Sequence, residues 1–132
     1  MQFGYTIIYT HSVEESIEFF ERAFGFKRRF IHESNEYGEL ETGATTLSFA
    51  NHNLGSSNLP NGYIKVDEPK PLGIEIALIS NDVQGAYKKA IACGAKSLAE
   101  PIQKPWGQEV SYVRCPDGTL VEICSPVIPV IA

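Results

Sequence analysis

Two glutamates stand inside strands that otherwise read as apolar. Glu75 lies between Ile74 and Ile76, and Glu122 between Val121 and Ile123. Alternate residues of a strand share a face. Ile74, Ile76 and Leu78 then turn toward a covering helix, which puts Glu75, Ala77 and Ile79 on the opposite, inward face. The same rule turns Val121 and Ile123 to the helix and Leu120, Glu122 and Cys124 inward. Tyr5, Ile7 and Tyr9, then Thr46, Ser48 and Ala50, then Val110, Tyr112 and Arg114 complete the inward set. Burying an unpaired carboxylate among such residues is costly unless it meets a cation or a donor. A carboxylate pair of this kind holds a cation, recognises a cationic or hydrogen-bond-donating group, or moves a proton. Arg114 either neutralises one of the pair or reaches the solvent rim.

Other chemistry-bearing residues are isolated. His11, His32 and His52 show no ligand spacing and are expected at the surface. Cys93, Cys115 and Cys124 have no neighbouring base or helix N-terminus to activate them, so each is expected to be an inert thiol. Trp106 sits in a Pro-Trp-Gly loop and is either a core aromatic or a lining of the groove mouth.

The elements that must position these residues occur twice. Tyr5 to Thr10 is an apolar strand, Ser12 with Glu15 a capping box, Val13, Ile17, Phe20 and Phe24 one helical face, and Gly25 a left-handed stop. Glu75 to Ser80, Asp82, the face Val83, Ala86, Tyr87, Ala90 and Ile91, and Gly94 repeat that order. Strands are expected around 27–34, 37–42 and 45–50 in the first copy, joined at Asn35-Glu36 and Gly43-Ala44. In the second copy an irregular strand flanked by Pro101 and Pro105 precedes strands at 108–114 and 119–125, with Pro116-Asp117-Gly118 as the turn between them. The first strand, rich in aromatic and β-branched residues, reads as buried on both faces.

Each half is therefore βαβββ, and the fold class is α+β: two tandem units forming a curved mixed sheet around a concave pocket, helices outside. Residues 1–50 and 72–126 are the two units of a single domain. Residues 51–71, rich in Asn, Gly, Ser and Pro, are a connecting loop that serves as a linker or as a cover over the groove. Residues 127–132 form an apolar tail, Val127-Ile128-Pro129-Val130-Ile131, that needs cover.

At 132 residues the chain is long enough for a real core, and 43% apolar with 20% charged content argues against disorder. A net charge of −5 disfavours nucleic acid and anionic membranes as partners. No signal-peptide pattern or membrane-length apolar run is present, and three cysteines in no zinc spacing suit a reducing compartment. The expected location is cytoplasmic.

The stretch Lys104-Pro105-Trp106-Gly107-Gln108, followed by Tyr112-Val113-Arg114-Cys115-Pro116-Asp117-Gly118-Thr119-Leu120-Val121-Glu122-Ile123, resembles the closing signature of the vicinal-oxygen-chelate superfamily. That superfamily includes glyoxalase I, the bleomycin-resistance proteins and the extradiol dioxygenases. Ser16 to Phe26, with Phe19-Phe20 and Phe24-Gly25-Phe26, resembles its opening. Cys115 departs from the aspartate usual there. The resemblance places metal-ligand positions at Tyr5, Ser48, Glu75 and Glu122, of which only the two glutamates are ordinary ligands.

It implies a small-molecule-binding protein without a tightly bound metal, with Tyr5, Tyr9, Ser48, Trp106, Gln108, Tyr112 and Arg114 as ligand-binding residues and Glu75 and Glu122 as anchors. The alternative is a metal-dependent lyase or isomerase resembling glyoxalase I. There Glu75 and Glu122 would be catalytic and would hold a divalent nickel, zinc, magnesium or manganese ion. A third possibility is a dimeric interaction protein without a ligand. A homodimer is expected in every case.

Overall fold

Ser12 ends an extended stretch and its hydroxyl accepts the Glu15 backbone N–H at 3.2 Å, so a helix begins at the next residue. That helix, α1 (Val13–Phe24), stops at Gly25, whose φ of 76° gives the left-handed turn that glycine adopts without strain. A computed structural model, which describes residues 1–127, gives this and every other element. Around α1 stand β1 (Tyr5–Thr10), β2 (Lys27–Ile31), β3 (Tyr37–Glu41) and β4 (Thr46–Asn51), followed by α2 (His52–Asn58). The pattern recurs as β5 (Ile76–Ile79), α3 (Val83–Ala92), β6 (Lys96–Gln103), β7 (Glu109–Arg114) and β8 (Leu120–Cys124). The chain divides into two compact units, Met1–Lys70 and Pro71 onward.

Each unit has its own four-stranded mixed sheet, ordered β1-β4-β3-β2 in the first and β5-β8-β7-β6 in the second. In each the first strand runs parallel to the last, and the remaining pairs are antiparallel. In the first unit α1 buries Val13, Ile17, Phe19, Phe20 and Ala23 against the face carrying Leu40, Leu47 and Phe49. Phe20 stands at the centre, with its ring centroid 5.2 Å from Phe49 and 5.0 Å from Phe24. Arg28 of β2 reaches back to Glu21 at 2.7 Å and Glu14 at 3.3 Å, tying strand to helix. In the second unit Asp82 caps α3 by accepting the Gly85 N–H at 2.9 Å, and Val83 and Ala90 are its buried residues.

Several expectations need correction. Residues 51–71 are not all loop, because Asn51 accepts the Leu54 N–H at 3.0 Å and starts α2. β1 is not buried on both faces: it is an edge strand, and Tyr5 and Ile7 on one face are exposed. Ile74 does not pack under a helix; it is 72% exposed and precedes β5, which begins at Ile76. The helix α3 ends at Cys93 as its cap, with Gly94 (φ 117°) just beyond it. Of the apolar tail, 128–131 lie outside the described residues.

The turn before β8 leaves one polar atom stranded. Thr119 is buried, its N–H donates to Asp117 Oδ1 at 2.9 Å and its carbonyl accepts the Cys115 N–H at 2.9 Å. Its hydroxyl is the buried side-chain oxygen or nitrogen that finds no partner among the described residues. A buried unmade hydrogen bond costs about 1–3 kcal/mol, and valine has nearly the same shape without the hydroxyl. Thr119→Val is therefore expected to raise stability by about 1 kcal/mol in urea unfolding. A loss of stability would show that the hydroxyl is bonded.

Candidate functional site

On the second unit's sheet, the face opposite α3 carries the carboxylate pair. Backbone register sets Glu122 of β8 beside Ala77 of β5 on one side and Tyr112 of β7 on the other. Glu75, two residues before Ala77, lies on the same face just ahead of β5. The Tyr112 hydroxyl donates to Glu122 Oε1 at 2.7 Å, the short distance of a bond to a charged acceptor. This bond, together with burial, pushes the Tyr112 phenol up to about 12. Burial first, and then the adjacent Glu122 charge, hold the Glu75 carboxyl above its usual range. Cys124 lies next along β8, and its thiol, directed to the Leu78 carbonyl at 3.7 Å, is pushed up to about 11 by burial and then by Glu122. It stays a neutral thiol at physiological pH.

The pair is less buried than alternation implied. Glu75 is exposed and Glu122 half-buried, since Glu75 precedes the strand that would have enclosed it. The cost of holding these charges is correspondingly reduced. Arg114 belongs to the same strand face as Tyr112, and its Nε donates to the Gly118 carbonyl at 3.1 Å across the turn into β8. Trp106 is 65% exposed; its indole N–H donates to Gln108 Oε1 at 2.8 Å, and Gln108 Nε2 donates to the Ser125 carbonyl at 2.8 Å. The loop is thus fastened to the end of β8, with the indole presented to solvent.

The first unit keeps its own set of residues together. Tyr5, Ile7 and Tyr9 of β1 share a face with Thr46 and Ser48 of β4, and Ser48 is fully buried. Tyr9 stacks on Tyr63 at 4.9 Å and accepts Asn58 Nδ2 at 3.3 Å. Tyr63 in turn meets His52 Nδ1 at 2.6 Å, packed so closely over Gly55 that no side chain fits there. His52 was expected at the surface. It is half-buried, and burial first, then the nearby Lys65 charge, lower its pKa.

Sequence reasoning missed the two carboxylates on this face, Glu39 and Glu41. Glu39 of β3 is 8% exposed and lies opposite Ser48. The Tyr37 hydroxyl donates to its Oε2 at 2.7 Å and Arg29 Nη1 to its Oε1 at 2.8 Å. Arg29 also grips Glu41 with bonds of 2.6 and 3.0 Å and reaches Thr46 Oγ1 at 3.2 Å. Period-two reading of Tyr37-Gly38-Glu39-Leu40-Glu41 puts all three polar side chains on the Ser48 face, a signal that was available in the sequence.

The donor set is a poor match to a transition metal. Among the described residues no cluster of three or more His, Cys, Asp or Glu converges on one point. The four positions that the resemblance assigns offer a phenol and a hydroxyl in one unit and two carboxylates in the other, with none of the imidazole or thiolate that zinc, nickel and iron sites usually recruit. No described helix is long and apolar enough to cross a membrane.

No curated protein matches the chain. Among solved structures, a glyoxalase-related enzyme from Fulvimarina pelagi is similar at 19% identity and a TM-score of 0.81, over 100% of this chain and 94% of that one. A glyoxalase/bleomycin resistance protein/dioxygenase family enzyme from Burkholderia phytofirmans PsJN shares 20% identity with a TM-score of 0.75, over 95% and 98%. A superfamily member from Sphaerobacter thermophilus shares 23% with a TM-score of 0.68, over 96% and 98%. At such identities the likeness concerns fold. The family pattern itself matches residues 2–123, and the chain belongs to the Glyoxalase/Bleomycin resistance protein/Dioxygenase superfamily.

Proposed function

We propose that this protein binds a small molecule on the sheet face of its second unit, without a resident metal. The ligand's cationic or hydrogen-bond-donating group meets Glu75 and Glu122, while Tyr112 and Trp106 supply stacking surface and Gln108 and Arg114 polar contacts. Tyr5 and Tyr9 offer similar surface on the first unit, where Ser48 on the same face is buried. The supporting observation is the Tyr112–Glu122 bond of 2.7 Å with a second carboxylate beside it on an open face. A few polar anchors among apolar residues such as Ala77, Ile79 and Leu120 are the usual form of a ligand site.

Two measurements test this reading. Protein purified without chelator is expected to hold no stoichiometric nickel, zinc or iron, and a thermal-shift screen of metabolites is expected to return ligands with basic nitrogens. One tightly held ion per chain, lost in both Glu75→Gln and Glu122→Gln, would replace binding by a metal-assisted lyase or isomerase reaction. We also propose a homodimer, supported by Phe3, Tyr5 and Ile7 exposed along or beside the edge strand β1. Sedimentation at micromolar concentration is expected to give twice the chain mass; a monomer would refute the dimer.

A further inference from the structure

The strand registers sort the second unit's sheet face into rows, and these leave one open apolar path away from Glu122. Ile76 pairs with Val121, so Glu75 just before it lies beside Leu120, which pairs with Arg114. The next row is Ala77, Glu122 and Tyr112, and the one after it Ile79, Cys124 and Val110. Glu75, Ala77 and Ile79 thus follow one another along one side of that face.

The directions leading from Glu122 across the sheet differ in what they offer a ligand. Toward Cys124 and Val110 the face is closed, since both residues are buried. Toward Arg114 it carries a guanidinium, which repels a cation. Along the edge strand β5 it is open: Ala77 is exposed, and Ile79 is 71% exposed. A single exposed isoleucine is ordinary on a protein surface. Here it ends an apolar lane that begins beside two carboxylates. Glu122 takes the Tyr112 hydroxyl at 2.7 Å, and Glu75 is in side-chain contact with Glu122. Acid at one end and hydrocarbon surface at the other complement a molecule with a charged head and an apolar body.

We infer that the ligand is an amphiphilic cation, its head at Glu122 and Glu75 and an unbranched apolar chain along Ala77 and Ile79. The inference rests on the small-molecule reading above and narrows it to a chemical class. The lane also sets a length. Two residues of a strand advance about 7 Å, which about five methylenes span at about 1.5 Å per carbon–carbon bond. β5 ends at Ile79, so a longer chain gains no further strand surface.

The test follows amide NMR shifts of the full-length protein at neutral pH during titration with ethyl-, hexyl- and octylammonium and with hexanol. Burying a methylene fully is worth roughly fourfold in affinity, and on an open face about twofold is expected. Hexylammonium should therefore bind about tenfold more tightly than ethylammonium, and octylammonium less than about twofold more tightly again. Hexanol should bind at least about tenfold more weakly than hexylammonium. The shifts should centre on Ala77, Ile79 and Glu122. Ile79→Asn should remove most of the gain from ethyl to hexyl, and Glu122→Gln should weaken hexylammonium at least about tenfold. The amide spectrum of each variant checks that it is folded, and Glu75→Gln, at an exposed position, should weaken hexylammonium as well. Equal affinity for ethyl- and hexylammonium would overturn the inference and leave the cation-binding reading standing. Hexanol binding as tightly as hexylammonium, shifts centred elsewhere, or hexylammonium binding that survives Glu122→Gln would each overturn the inference. Absence of binding by every probe would overturn both the inference and the reading beneath it.

Discussion

Replacing Phe20 with alanine should remove about 3–5 kcal/mol of stability from the first unit, the range for deleting a buried phenylalanine ring. Phe20 is fully buried and lies in edge or tilted contact with Phe19, Phe24 and Phe49, so the vacated space is walled by rings that cannot all close on it. The lost contacts join α1 to β4, whose opposite face carries Ser48. A global stability of about 5–15 kcal/mol makes this loss visible as a large drop in the urea midpoint. Glu18→Ala, on the exposed side of the same helix, should change stability by no more than about 0.5 kcal/mol. A Phe20→Ala loss below about 1 kcal/mol would mean that α1 does not pack on the sheet as described.

That packing was legible because local and long-range signals agree. Ser12 and Asp82 are caps, Gly25 is a stop, and the apolar spacing of Val13, Ile17 and Phe20 has only a helical reading. α2 was missed because its sequence, His-Asn-Leu-Gly-Ser-Ser-Asn, consists largely of poor helix formers. It is held from outside its own span, by the Asn51 cap and by Tyr63 lying over Gly55. The exposure of β1 was illegible for a different reason: Tyr5 and Ile7 are apolar whether or not something covers them.

The carboxylate pair was found by alternation, yet its setting was not. Glu75 was read as an interior strand residue, but β5 begins one position later, and strand ends are where sequence signals are weakest. The partners of Arg29 were hidden because it sits in a bulge, and a bulge breaks the period-two rule by which facing was assigned. The partners of Glu39 thus became apparent only once β2 and β3 were paired.

Glu122→Gln should weaken ligand binding by about 10–100-fold, the equivalent of one lost charge-assisted hydrogen bond, without lowering stability. Glutamine keeps an oxygen to accept the Tyr112 hydroxyl and offers an amide in place of the charge that faces Glu75. The sign of the pH dependence follows from Glu75. Its folded carboxyl binds a proton more readily than the ordinary value of 4.5, through burial and then through Glu122. The native state therefore holds more protons than the unfolded state, and stability falls as pH rises from about the unfolded value through the folded one. Glu122→Gln removes the like-charge share of that penalty. Its stability should equal the parent's near pH 4 and exceed it once Glu75 ionises, with the Tyr112 phenol moving back toward 10 in an ultraviolet titration. The opposite result has a definite meaning. If Glu122 were instead neutralised by Arg114, the variant would leave a guanidinium uncompensated and lose about 3–5 kcal/mol. A melting temperature that falls sharply in Glu122→Gln and recovers when Arg114→Met is added would make the pair structural and remove it from the binding site.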